Sequence, residues 1–235
     1  MRYEFAPANS LRTHHEAFRG AMMSRVCNEK YLAHQPSLDQ FGLSIDMIGT
    51  SITYVYEILD SIDGKLIDAG GERLSELVEL ANLSSIIGNL YRGGIVRTSK
   101  GRFEANAPHT YPDLLGRGTG CKDIEIKVAL ENNKPKGHLI KPGPHLTLRY
   151  VLGDANGRYQ RGKASRGKVP WIWEVRVGYL KDNHFNFSNT EGDSGKTAVI
   201  NAAGMEALQL VYCDLERCPL SPSGTTYRDA ALRFK

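Results

Sequence analysis

The segment Cys121–Leu130 constrains the fold more than any other, because Ile124, Ile126 and Val128 alternate with Asp123, Glu125 and Lys127. A period of two is the pattern of a strand with one apolar and one polar face. Glu125 and Lys127 therefore project from the same face. Upstream, Gly116-Arg117-Gly118-Thr119-Gly120 has the glycines to reverse the chain, so a hairpin is expected to return Asp113 to the side of the Glu125 strand. Two further alternating stretches, Leu146–Leu152 and Trp171–Tyr179, read as strands. Trp171 and Trp173 fall on one face with Val175 and Val177, which marks them as core.

Helical spacing flanks these strands. Ile45, Ile48, Ile52, Val55, Leu59 and Ile62 recur at intervals of three and four, predicting an amphipathic helix from Ser44 to Ile62. It is too short for a coiled coil, so its stripe is expected in the core, with a dimer seam as the alternative. Residues 60–71, with Gly64 and Gly70-Gly71, read as a connection. Leu74, Leu77, Val78 and Ala81 then predict a second helix running toward Leu90, and Ala202–Tyr212 a last one. His184–Phe187 is a further strand. The expected class is α/β, a mixed central β-sheet flanked by helices. The 235 residues suit one domain, with residues 1–65 as a helical N-terminal elaboration and 66–235 as the core.

Two carboxylates converging at a strand end, Asp113 and Glu125, make an oxygen-rich site for Mg²⁺, which binds through one or two carboxylates and keeps several waters. Such a cation suits phosphodiester cleavage, and Lys127 beside it can orient a nucleophile or offset phosphate charge.

Pro112-Asp113, followed after eleven residues by Glu125-Ile126-Lys127, resembles the PD-(D/E)XK motif of type II restriction endonucleases and some repair and junction-resolving enzymes. The resemblance implies a restriction-endonuclease-like core in which Asp113 and Glu125 hold Mg²⁺ and Lys127 is the catalytic lysine. It also implies an acid from the preceding helix, Glu76 with Glu72 behind it. Those acids also fit the ordinary role of complementing a helix dipole. The activity implied is sequence-specific cleavage of double-stranded DNA; a homodimer would suit cutting both strands of a palindrome, with a monomer as the alternative. Asp-Ile-Glu-Ile-Lys is similar, too, to the branch holding a mismatch-repair nicking enzyme, so a nicking or structure-selective nuclease is the alternative among enzymes. A non-catalytic DNA-binding protein is the alternative outside them.

Charge distribution favours a nucleic-acid partner. The chain nets only +4, yet residues 134–168 hold nine cations against one acid, Asp154. Lys134, Lys136, Lys141, Arg158, Arg161, Lys163, Arg166 and Lys168 are the expected DNA contacts, with a solvated loop as the alternative reading. Gly192-Asp193-Ser194-Gly195-Lys196-Thr197 is similar to the end of a P-loop, but Thr190 stands where its first glycine belongs. Asn183-His184 reads as a strand edge, and His138 and His145 as part of a proline-rich surface loop. Cys27, Cys121, Cys213 and Cys218 lack zinc-site spacing and suggest no disulfide framework. No apolar run can cross a membrane and no targeting segment opens the chain, so a cytoplasmic location is expected. Arg228, Arg233 and Lys235 read as a basic arm, with a disordered end as the alternative.

Overall fold

The computed structural model describes residues 25–108, 110–188 and 197–225. A short helix, α1 (Gln35–Asp39), leads to the long α2 (Ile45–Asp68), the single turn α3 (Leu74–Leu77) and α4 (Leu80–Thr98). Strands β1 (Phe103–Ala105), β2 (Leu114–Gly116), β3 (Glu125–Leu130), β4 (Lys136–Gly137), β5 (Gly143–Gly153), β6 (Val169–Leu180), β7 (Phe185–Ser188) and β8 (Thr197–Ile200) follow. Helix α5 (Ala202–Ala207) and β9 (Gln209–Cys213) complete them. The chain is a mixed α/β fold. Its main sheet has the order β3-β5-β6-β9, with β3 and β5 parallel and the other neighbours antiparallel. A smaller sheet has the order β4-β8-β7, and β1 pairs with β2. Among the described residues no helix is long and apolar enough to cross a membrane.

Ser44 starts α2 by accepting the Met47 amide at 3.1 Å, which satisfies one of the free N–H groups of the first turn. Ile48, Ile52, Val55 and Leu59 are sealed in the core, so the stripe considered for a dimer seam packs inside the chain. The helix continues past Ile62 and through Gly64 to Asp68, and the boundary expected at residue 65 falls within it. Asp63 ties down this extension. Its carboxylate is 3% exposed and accepts from Arg73 Nη1 and from the Leu74 amide, both at 2.9 Å.

The single helix expected through Leu90 is two. Val78 and Glu79 adopt extended backbone, with ψ of 153° and 148°, and α4 starts afresh at Leu80. Leu83, Ile87, Tyr91 and Ile95 are its buried stripe. It crosses α2 closely enough that a Cβ on Gly94 would fall 2.8 Å from Ser51 Cα, so glycine is required there.

In-register partners share a sheet face. On one face Leu146 pairs with Val177 and Leu148 with Val175, and all four join Ile48, Ile52, Leu83 and Ile87 in one apolar core. The opposite face carries Glu125 beside His145, Lys127 beside Thr147, Thr147 beside Arg176, and Arg149 beside Glu174. This face is also covered: His145 and Thr147 are 0% exposed and Glu174 is 1% exposed. The Phe185 ring lies 5.9 Å from that of His145, and Arg176 Nη1 donates to Leu208 O at 3.1 Å just past α5. Pairing makes such burial tolerable. Arg149 Nε donates to Glu174 Oε1 at 2.6 Å, and Arg176 Nε stands 3.0 Å from Glu174 Oε2.

Two expectations need correction. The register runs from Arg149–Glu174 to Tyr150–Ile172, a bulge that skips Trp173 and interrupts the alternation expected over Trp171–Tyr179, although both tryptophans are buried. Only the first part of Ala202–Tyr212 is helical; Gln209–Cys213 is a strand paired with β6. Leu210, Val211 and Tyr212 are consecutive and all buried, which a strand covered on both faces achieves and an amphipathic helix does not.

Candidate functional site

β3 is an edge strand of the main sheet, and edge strands present backbone N–H and C=O groups without a strand partner. In place of the expected hairpin, the chain returns to this edge through a single antiparallel bridge, Leu114 to Ile124, while β2 itself pairs with β1. Leu114 and Ile124 exchange backbone hydrogen bonds at 3.0 and 2.9 Å, and Asp123 Oδ1 accepts the Gly116 amide at 2.8 Å, fastening the glycine turn. Asp113 is thereby returned to β3, where its Oδ2 accepts the Ile126 amide at 2.7 Å.

Glu125, 2% exposed, lies next to it in the same cluster. Its Oε1 accepts from Lys127 Nζ and, at 2.8 Å, from Lys141 Nζ. Among the described residues its Oε2 has no partner. Burial, and then the negative charge of Glu125, raise the Asp113 carboxyl above its ordinary range. Burial alone would raise Glu125 as well, but Lys127 and Lys141 outweigh it and hold that carboxyl below its ordinary value. The two neighbouring carboxyls are thus displaced in opposite directions.

Asp113 and Lys127 line a groove of about 1390 Å³ that runs along β3. One wall is α4, which offers Ser84, Ser85, Gly88, Asn89 and Arg92; the other is the segment from Asn132 to Lys141. Arg92 lies in the electrostatic field of Asp113. The groove therefore has one lining acid, Asp113, with Glu125 sealed behind it, and a rim of cations.

The structure separates the expected site residues into those near this groove and those away from it. Asp113, Glu125 and Lys127 come together. Glu76 does not join them: it forms an ion pair with Lys168, and Ser75 Oγ, beside it on α3, donates to Lys168 O. The break at Val78–Glu79 explains this, since the helix lining the groove is α4, which presents no acid there. Glu72 lies further upstream, before α3, and is exposed.

The basic segment divides as well. Lys134, Lys136 and Lys141 line the groove. Arg166 is paired with Glu131 at 2.9 Å. Arg158, Arg161 and Lys163 are exposed on the loop after β5. From His145, the register partner of Glu125, to Gly153 at the start of that loop is about 25 Å at the rise of a strand. His145, expected in a surface loop, is inside the sheet, where burial pushes its pKa down to about 4. His138 remains on the groove wall. Residues 192–196 of the P-loop-like stretch lie outside the described residues, as do Arg228, Arg233 and Lys235. The four cysteines are free.

Lys141 and Arg92 are the site residues that sequence reasoning missed in role or altogether. Lys141 carried a signal only as one cation among many, and Arg92 carried none, because a helix placed against the strand supplies it.

The donor set fits a hard cation. Both acids supply oxygen only, the donor a hard cation takes; Asp113 faces the groove, while Glu125 Oε1 is held by two lysine ammonium groups that a cation would have to displace. Among the described residues no group of three or more His, Cys, Asp or Glu is placed to hold a metal. No protein-family model matches the chain, and no curated protein sequence matches it.

Proposed function

We propose that this protein is a Mg²⁺-dependent endodeoxyribonuclease of the restriction type, hydrolysing phosphodiester bonds in double-stranded DNA at defined sequences. The observation that carries the reading is the Asp113 carboxylate, fastened to the Ile126 amide beside Glu125 and Lys127 in a groove rimmed with cations. In this reading Asp113 and Glu125 hold the cation. When bound, Mg²⁺ supplies charge compensation at the phosphate and acidity for a water. Lys127 and Lys141, which neutralise Glu125, stand within reach of a phosphate entering the groove, and Lys127 orients the attacking water. Arg92 answers charge on the phosphate, and Lys134 and Lys136 hold its neighbours along the strand. A second copy of the chain supplies the second cut.

The test is incubation of wild type, Asp113→Asn and Lys127→Ala with a long mixed-sequence duplex, with Mg²⁺ or EDTA, and sequencing of the ends. Discrete Mg²⁺-dependent ends from wild type alone are expected. Equal cutting by all three proteins, or none by wild type, sinks the reading. Tight, salt-sensitive binding without cutting would favour a non-catalytic DNA-binding protein instead.

A further inference from the structure

We infer that Tyr111, with Tyr179 beside it, is a stacking platform for a nucleobase that has left the helical stack next to the phosphate being cut; this rests on the nuclease reading above and names the form of DNA such a nuclease prefers. Tyr111 is 45% exposed and Tyr179 58% exposed, which puts both among the few large apolar side chains of the described residues left open to solvent.

The Tyr111 ring is exposed but fastened. Its hydroxyl donates to Pro142 O at 2.9 Å, and Gly143 makes room for it, since a Cβ there would stand 3.1 Å from the hydroxyl oxygen. Lys141 Nζ lies 4.8 Å from the ring centroid and 2.8 Å from Glu125 Oε1, so one ammonium joins the ring to the acid cluster. Along the chain Tyr111 stands two residues before Asp113, which lines the groove as Lys141 does. Tyr179 comes from β6. It is in register with Pro144, at the end of the sheet where the Tyr111 hydroxyl is held. Glu125 and Tyr179 both lie in the electrostatic surroundings of that hydroxyl.

Aromatic rings fixed beside cations suit one occupant. A ring already held in place loses little freedom when another group packs on it. A nucleobase is flat, with a π-face that stacks on tyrosine, and the phosphates of its strand answer Lys134, Lys136 and Lys141 along the same edge. An apolar protein segment would cover the rings and leave those lysines unanswered. Inside a duplex each base is already stacked on its neighbours, so only a base that is unpaired, mismatched or turned out reaches the tyrosines. DNA with such a base beside the cut is therefore the preferred substrate.

The experiment measures affinity by fluorescence anisotropy, with Ca²⁺ in place of Mg²⁺ and thermal melting alongside, for three labelled DNAs. One is a matched duplex, one the same duplex with a bulge of unpaired bases, and one the same bulge built from abasic nucleotides, which keeps the phosphates and removes the bases. Wild type and Tyr111→Phe are expected to bind the base-containing bulge more tightly than the matched duplex, and about 5- to 150-fold more tightly than the abasic bulge, the range for stacking of one base. Tyr111→Leu is expected to bind the two bulges alike, with wild-type affinity for the abasic one. Absence of the preference in wild type overturns the platform, as does its retention in Tyr111→Leu. Loss of the preference in Tyr111→Phe also overturns it, because phenylalanine keeps the stacking face and lacks only the hydroxyl. If Tyr111→Leu does not fold, Tyr179→Leu decides: a reduced preference supports the platform and an unchanged one overturns it. A wild type that binds none of the three DNAs removes the nuclease reading and the platform together. A wild type that cuts DNA with Mg²⁺ yet binds both bulges alike loses the platform alone.

Discussion

The two faces of the main sheet are both largely covered and chemically opposite. One meets the helices with Leu146, Leu148, Val175 and Val177; the other, under Phe185 and α5, holds Glu125, His145, Thr147, Arg149, Glu174 and Arg176. The first is stabilised by removal of hydrocarbon from water and tolerates changes of shape in proportion to volume. The second is stable only while each charge keeps its partner. Such a face is a poor source of stability and a good scaffold for chemistry, because its side chains have one arrangement that satisfies them all.

The largest effect should come from the polar face. Glu174→Ala leaves Arg149 and Arg176 buried without their carboxylate and should cost about 3–5 kcal/mol in urea unfolding. Leu148→Ala, its counterpart on the apolar face, should cost about 2–5 kcal/mol. If the leucine proves the costlier site by a wide margin, the polar face is less tightly closed than described.

Acid should separate the faces further. Burial alone would raise the Glu174 carboxyl, but Arg149 and Arg176 outweigh it and hold it below the ordinary 4.5. A folded-state value below the unfolded one contributes stability that is present above pH 4.5 and lost as pH falls through the folded value. Wild type should therefore lose stability steeply below pH 4.5, and Glu174→Gln should show a flatter acid limb.

The site end of the polar face should respond with the opposite sign. Asp113 is raised above its ordinary range by burial and by Glu125, so above that range its ionised form opposes folding. Asp113→Asn is expected to abolish cleavage yet stabilise the metal-free protein at neutral pH by about 0.5–2 kcal/mol. A lower melting temperature would show that the carboxylate's hydrogen bond outweighs its repulsion. The smallest change is expected outside the sheet, where Arg158→Ala on the exposed loop should alter stability by less than about 0.5 kcal/mol. Lys134→Ala should lower the log–log salt dependence of DNA binding by about 0.9, the contribution of one phosphate contact.

Local pattern made much of this legible. The three-and-four spacing after Ser44 marks α2, period-two alternation marks β3, β5 and β6, and the glycines between Leu115 and Cys121 mark the turn that returns Asp113. Local pattern failed where partners come from elsewhere. Alternation distinguishes two faces but not what covers them, so the burial of Glu125 beneath the face it shares with Lys127 is not legible from the strand. The parallel pairing that sets His145 beside Glu125 depends on the register between β3 and β5, which neither strand encodes alone. Arg92 enters from a helix, and Lys141 from a segment folded back along the edge. The strand at Gln209–Cys213 was missed because Leu208 and Val211 satisfy a helical spacing while their neighbours are buried too.

The hydrogen bond from the Ile126 amide to Asp113 has a further consequence, for self-association. An unpaired amide on an edge strand invites a strand from another molecule, and chains commonly block such edges with charge. Asp113 occupies that amide, and the lysines at 134, 136 and 141 crowd the same flank. The acid proposed for chemistry thus also covers an edge amide with which another strand could pair. Asp113→Ala would uncover the edge, whereas Asp113→Asn keeps an oxygen on the amide, so asparagine is the substitution that removes the charge and leaves the molecule monodisperse.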